Sequence, residues 1–212
     1  MRKNMWCAAL GTALVAGCGG ALAQDAGKGF YAGASIGQSK FNGACGSEPG
    51  VAITNCDEKD TAWKIFGGYA FNRNLAVELG YNDFGRVSGD ASGVLLGIPF
   101  TGNAKVEATA FELTGVGSLP LANRFAVYGK LGLYYGEVKS SATVRQTAAP
   151  FATGSSSVSD NNTDLTFGFG GRYDITPKFA VRAEWQRFSK VGSDSTGKGD
   201  IDVLAVGGLY RF

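Results

Sequence analysis

The sequence predicts an all-β fold: an eight-stranded antiparallel up-and-down transmembrane β-barrel. Three observations carry that reading: an apolar period of two from residue 29 to the last residue, an excess of glycine and aromatic residues over charged ones, and connections that alternate between short and long. Among 212 residues, glycine numbers 33, aromatics make up 12% and charged residues only 18%. That balance departs from an ordinary soluble domain. A mean hydropathy of -0.01 also excludes a bundle of membrane helices. Apolar and polar residues are interleaved finely, as in strands with two unlike faces.

The alternation marks eight segments. The first is GFYAGASIGQ from Gly29 to Gln38, followed by TAWKIFGGYAF from Thr61 to Phe71 and NLAVELGYNDF from Asn74 to Phe84. Next come VEATAFELTGVGSL from Val106 to Leu119 and RFAVYGKLGLYYGEV from Arg124 to Val138. The last three are TDLTFGFGGRYDI from Thr163 to Ile175, KFAVRAEWQRFSKV from Lys178 to Val191, and the terminal DIDVLAVGGLYRF. Each has the length that a tilted membrane strand needs. Short turns fall near Asn72, at Pro120–Asn123 and at Thr176–Pro177. The stretches 39–60, 85–105, 139–162 and 192–199 are rich in Ser, Gly, Thr and Asp and read as long loops. Short turns at one end and long loops at the other describe an up-and-down barrel. Closure of the last strand on the first removes the edges of the sheet.

Eight-stranded barrels also occur in water, so the two faces must be told apart. Phe30, Tyr69, Phe71, Phe125, Tyr173, Phe179, Tyr210 and Phe212 gather beside the short turns and chain ends. Trp63, Tyr81, Tyr135 and Trp185 gather toward the long loops. Two aromatic rings around an aliphatic band are the girdles of a membrane barrel. The opposite face is rich in glycine, which suits a cramped interior. It also carries Lys64, Glu78, Glu112, Lys130, Arg172, Arg182 and Glu184 in mid-strand. Arg or Lys facing lipid at the midplane would cost about 2–4 kcal/mol each. The charges are therefore expected to point inward as a lumen network.

The first residues read as an export signal, residues 1–23, ahead of a barrel domain over 24–212. Arg2 and Lys3 precede the apolar run MWCAALGTALVAG, and ALA ending at Ala23 suits cleavage between Ala23 and Gln24. A rival reading is open: VAGC ending at Cys18 resembles a lipobox, which would make Cys18 a lipidated N-terminus. Loss of Arg2 and Lys3 takes the formal charge from +2 to zero, leaving no basic footprint for nucleic acid. Cys45 and Cys56 are the cysteines outside the leader, and an oxidising compartment predicts a disulfide between them that braces a loop.

FYAGASIGQS, VELGYNDFGR, GKLGLYYGE, ITPKFAVRAEWQ and DVLAVGGLYRF together resemble the membrane domain of the OmpA family of Gram-negative outer-membrane proteins. The resemblance covers nearly all of residues 29–212. It implies short turns and termini in the periplasm, long loops outside, and a terminal YRF read by the outer-membrane assembly machinery, with Tyr210 and Phe212 as its signal. Two departures limit it. Larger members continue into a peptidoglycan-gripping domain, and no cell-wall tether is expected to carry over from the resemblance. Glu78 and Arg182 match the family's lumen salt-bridge pattern, but Arg172 stands where that pattern has a carboxylate and Val116 where it has a lysine.

Function follows from the barrel and its filling. The leading expectation is a structural and surface-interaction protein, monomeric, with four external loops on a plugged narrow barrel. Its surroundings would be outer-membrane lipid and lipopolysaccharide, with a host or phage ligand at the loops. A small low-conductance pore is the alternative, and a soluble lipocalin-like carrier a more distant one. A lipid-modifying enzyme would want an activated serine and a histidine partner, and the sequence has no histidine. No cofactor is expected. Asp57, Glu58 and Asp60 around Lys59 read as a solvated loop rather than a metal site. Within 85–105, GVLLGIPF is an apolar stretch that folds back on the barrel rim, extends a strand above the membrane, or forms a contact patch.

Overall fold

Residues 27–43, 45, 51–95, 98–147, 153–192 and 198–212 are described by a computed structural model. Ala23, Gln24 and Cys18 lie outside them. Nine strands follow in order: β1 (Gly29–Phe41), β2 (Val51–Asp57), β3 (Lys59–Ala70), β4 (Leu75–Leu95), β5 (Ile98–Pro120), β6 (Phe125–Gln146), β7 (Thr153–Asp174), β8 (Phe179–Val191) and β9 (Gly199–Arg211). Every pairing is antiparallel. β1 and β3 to β9 pair each with the next, and β1 returns to β9 with Tyr31 opposite Arg211 and Phe41 opposite Ile201. Those eight strands form a closed cylinder. β2 stands outside it, paired to the outer part of β4.

The alternation of the strands runs inside out relative to a soluble barrel. Leu131 is 64% exposed while its neighbour Lys130 is 4% exposed. The same inversion repeats at Leu79 beside Glu78, Leu113 beside Glu112 and Val181 beside Arg182. Because successive side chains point to opposite faces, one outward apolar set commits the polar set to the lumen. An apolar exterior is stable only where the surroundings are apolar too.

The long connections expected at 85–105 and 139–162 are instead mostly strand. β4 and β5 stay paired out to Leu95 opposite Ile98, and β6 and β7 out to Arg145 opposite Thr153. The composition there concealed a continuing period of two: Ser141 and Thr143 point to one side, Ala142 and Val144 to the other. Ser, Gly and Thr resemble a loop in composition, yet the ladder needs only backbone groups and a tolerable alternation. The described ends of the GVLLGIPF stretch continue the β4–β5 pairing, with Val94 opposite Pro99. Within 39–60, β2 pairs Val51 to Thr54 with Gly93 to Asp90. The Cys45–Cys56 disulfide forms, and it ties residue 45 to that strand rather than bracing a plain loop.

A bulge marks the point where the projecting sheet leaves the cylinder. β3 accompanies β4 only as far as Trp63 opposite Asp83, and the β4–β5 register then shifts between Asp83 and Arg86. Gly85 takes φ +76° there, a conformation that side chains strain. The freed backbone is satisfied locally. Gly85 N donates to Asp83 Oδ1 at 2.9 Å, Arg86 N to Asp60 Oδ2 at 2.5 Å, and the buried Ser39 hydroxyl donates to the Phe84 carbonyl at 2.6 Å.

Candidate functional site: the filled lumen

β8 gives the layering of the interior. From the turn end upward its inward residues are Ala180, Arg182, Glu184, Gln186 and Phe188, all buried. They pass through an apolar floor, an ionic layer, an amide layer and an aromatic cap.

The ionic layer sets three cations against three carboxylates. Arg182 donates to both oxygens of Glu78, at 2.8 and 3.4 Å, and reaches Glu184 at 3.4 Å. Lys130 lies 2.8 Å from Glu78, 3.2 Å from Glu184 and 3.8 Å from Glu112. Lys64 pairs with Glu112 and lies 3.5 Å from Glu78 and 3.7 Å from Glu184. Lys64 comes from β3, Glu78 from β4, Glu112 from β5, Lys130 from β6, and Arg182 and Glu184 from β8. Five strands thus meet on the barrel axis. All six are buried, so each ion depends on the others for the solvation it has lost.

Neutral groups finish the network. The Gln186 amide donates to Glu112 at 2.7 Å and to the Thr166 hydroxyl at 2.8 Å, and its carbonyl accepts from Lys64 at 3.3 Å. Asn82 donates to Glu112 at 3.1 Å. From below, Tyr31 donates to Glu78 at 3.3 Å and Tyr128 to Glu184 at 3.0 Å. The Phe66 ring lies 3.5 Å beneath the Arg182 guanidinium, a desolvated cation–π contact. A cavity of about 10 Å³ remains beside Ser35, Lys64, Asn82, Glu184 and Gln186. That volume is about one water probe.

Above the ions, Phe84 and Phe188 pack edge to face at 4.7 Å, and Tyr134 closes on Phe188 at 5.4 Å. Phe41, Val87, Ala108, Ala110, Val138, Val191 and Ile201 complete this layer. The sequence reading did not single it out. Its signal was nonetheless present, because Phe84, Tyr134 and Phe188 occupy the same parity as Glu78, Lys130 and Arg182. Small residues make room for the filling: a Cβ on Gly80 would stand 3.0 Å from Lys64 Cε and 3.2 Å from the Glu112 side chain.

Arg172 does not join the ionic layer, and its assignment to the lumen network is corrected. It is half-buried at the turn end, 3.3 Å from Asp174, which also accepts from Arg211 at 2.7 Å. Arg172 sits opposite Arg182 in register. A fourth cation there would unbalance a layer already neutral with three, so the side chain turns down to Asp174. Val116, opposite Lys130, is buried and adds no charge.

The outward aromatics form two contact series. Phe30, Tyr69 and Phe71 touch in sequence at 4.8 and 5.4 Å near the turns, with Tyr210 and Phe212 at 5.3 Å. Phe125, Tyr173 and Phe179 lie exposed at the same end. At the loop end Trp63, Tyr81 and Phe111 touch at 5.6 and 4.9 Å, Tyr135 lies opposite Phe111, and Trp185 packs between Phe167 and Phe169. Just beyond Trp185, Arg187 grips Asp202 through two bonds of 2.7 and 2.8 Å.

The family described as OmpA-like transmembrane domain matches residues 25–212. The chain belongs to that family. Outer membrane protein A of Shigella flexneri is 28% identical over 190 residues, which cover 86% of this chain and 48% of that protein. Outer membrane protein P5 of Haemophilus influenzae is 29% identical over 167 residues, 77% of this chain and 45% of that one. The chain thus spans about half the length of the curated relatives it matches. Among solved structures, OprG of Pseudomonas aeruginosa aligns with a TM-score of 0.53 at 16% identity, covering 89% of this chain and 98% of that one. Neisserial surface protein A aligns with 0.51 at 14% identity, covering 86% and 97%. These likenesses establish the fold. With the family membership, they place the OmpA-like chain in the outer membrane of Gram-negative bacteria, an all-β barrel with apolar residues toward lipid.

Proposed function

We propose that this OmpA-like barrel is a structural and surface-interaction protein: a closed, plugged cylinder that holds projecting hairpins on the cell surface. The observation that carries the reading is the filled lumen, where a neutral ionic layer and an aromatic cap lie in series. A permeating ion would have to displace paired charges and then cross an apolar layer, each step costly in a dry interior. The polar outer sheet, by contrast, offers exposed side chains to partners. Lipopolysaccharide and a host or phage molecule are the partners we assign to it, with the barrel acting as a monomer. Export through cleavage between Ala23 and Gln24, and engagement of the assembly machinery by Tyr210 and Phe212, belong to the same reading. No catalytic role or cofactor is assigned.

Planar-bilayer recording tests the plug. We expect a closed barrel with at most brief, small openings, and a large steady conductance would favour the pore instead. Adhesion and serum survival of a strain lacking residues 86–107, compared with a full deletion, test the surface role. Equal behaviour of the former strain and the parent would separate that role from the β4–β5 hairpin.

A further inference from the structure

The two ends of the cylinder differ in charge. At the turn end the described residues supply Lys28, Arg73, Arg124, Arg172, Lys178 and Arg211, with Asp174 as the one carboxylate side chain among them. The loop end, by contrast, mixes both signs in near-equal number and joins many in pairs, such as Arg86–Glu107 at 2.6 Å and Arg187–Asp202. Asp174 is already shared by Arg172 and Arg211. Arg124 and Lys178 are exposed and have no carboxylate partner among the described residues.

The placement of these cations is regular. Each of the three short turns contributes one: Arg73 between β3 and β4, Arg124 between β5 and β6, Lys178 between β7 and β8. The seam where β1 meets β9 contributes Lys28 and Arg211. Since β1 and β3 to β9 close in order, the four stations are spaced two strands apart around the rim. At every station an exposed phenylalanine lies within two residues of the cation: Phe30, Phe71, Phe125, Phe179 and Phe212. Aromatic rings settle at the headgroup boundary of a bilayer. At Lys28, Arg73, Arg124 and Lys178 the cation lies one or two residues farther from the midplane and is then level with the lipid phosphates.

We propose that this rim is a binding collar for anionic phospholipid in the leaflet that meets the short turns. The collar rests on the membrane placement argued above, and it adds a lipid class and a set of residues to it. A net-positive ring at phosphate depth gains attraction for each lipid that carries a net negative charge, whereas zwitterionic headgroups offer little. The circular arrangement favours several separate headgroups around the perimeter over a single polymer seated beneath the barrel.

Native mass spectrometry of the folded protein, titrated with phosphatidylglycerol or phosphatidylcholine in mild detergent, tests this. Folding of every variant is checked by its heat-dependent gel shift. The native chain should retain phosphatidylglycerol preferentially. Arg73→Gln, Arg124→Gln and Lys178→Gln should each lower that affinity by about fivefold at low salt, and Arg124→Lys should retain it. Arg86→Gln, Lys105→Gln and Lys139→Gln at the other end should leave the preference intact. An unchanged preference in the triple turn-end variant would overturn the collar, as would loss of the preference through the loop-end changes. Soluble polyglutamate bound at the turn end in place of the lipid would reassign the surface to a polymeric anion. Failure of the heat-shifted, folded chain to enter vesicles of any composition would instead sink the membrane placement itself.

Discussion

Glu78 accepts from Arg182 through both oxygens and also lies 2.8 Å from Lys130, so its removal takes a counter-ion from two buried cations and leaves three positive charges facing two carboxylates. Breaking one side of a buried pair costs about 3–5 kcal/mol. We expect Arg182→Leu and Glu78→Leu each to lose at least about 3 kcal/mol, measured by urea unfolding in micelles. The double variant should lose less than the two single losses added together, and strict additivity would mean that the two side chains do not act on one another. Neither variant should conduct steadily, because the Phe84–Phe188–Tyr134 layer still lies across the path. Phe188→Ala should cost about 3–5 kcal/mol for its cavity. Only when combined with Arg182→Leu is it expected to give sustained openings in planar bilayers. Sustained current from Arg182→Leu alone would show the ionic layer to be the sole barrier.

At the scale of strands, Gly85 and the Asp83–Arg86 bulge decide where β4 parts from β3. A Cβ at Gly85 would meet the Asp60 carboxylate at 2.5 Å in a left-handed backbone. Gly85→Val is therefore expected to cost about 1–3 kcal/mol and to loosen amide protection in the projecting hairpin before the barrel wall, as hydrogen exchange would report. Beyond the loop-end aromatic girdle, outside the hydrocarbon, the Arg187 fork and the Asn42 amide hold the Asp202 carboxyl below its usual range. The stabilisation is present at neutral pH and fades as pH falls through the carboxylate range. Its size is at most about 1 kcal/mol for so exposed a pair. Asp202→Asn should remove that part of the difference in stability between neutral pH and about pH 3.

The sequence announced the cylinder wall clearly, since Leu131 against Lys130 and Leu79 against Glu78 leave one arrangement compatible with lipid. It announced the ionic layer through the parity of the same strands. It did not announce the outer halves of β4 to β7, where Ser, Thr and Gly alternate with Ala and Val and the contrast between faces is slight. Nor did parity show that Arg172 would turn down to Asp174, because depth along the axis and the number of charges a layer can balance are properties of the assembled barrel. The aromatic cap was hidden for a different reason. Phe84, Tyr134 and Phe188 share the inward parity, but they stand on three different strands, and only the assembled register brings them to one depth.

For the whole molecule, protease added to intact cells should cut within 85–105 or 139–162 and spare the turn at Pro120–Asn123. Cutting of that turn in sealed cells would invert the assigned topology.

Closure of β1 on β9 also governs how the barrel can come into being. Tyr31 meets Arg211 across almost the entire sequence, so the seam has the longest contact separation in the wall. Such distant pairing is slow to form. Until β9 arrives, β1 and β8 each present an unsatisfied row of amides and carbonyls, intolerable within hydrocarbon. Insertion must therefore be nearly all-or-none, with the last strand as its rate-limiting piece. Deleting residues 204–212 should yield no seven-stranded intermediate in the membrane but an unassembled chain. Pulse-labelling with a heat-shift assay would register this as the absence of any compact band.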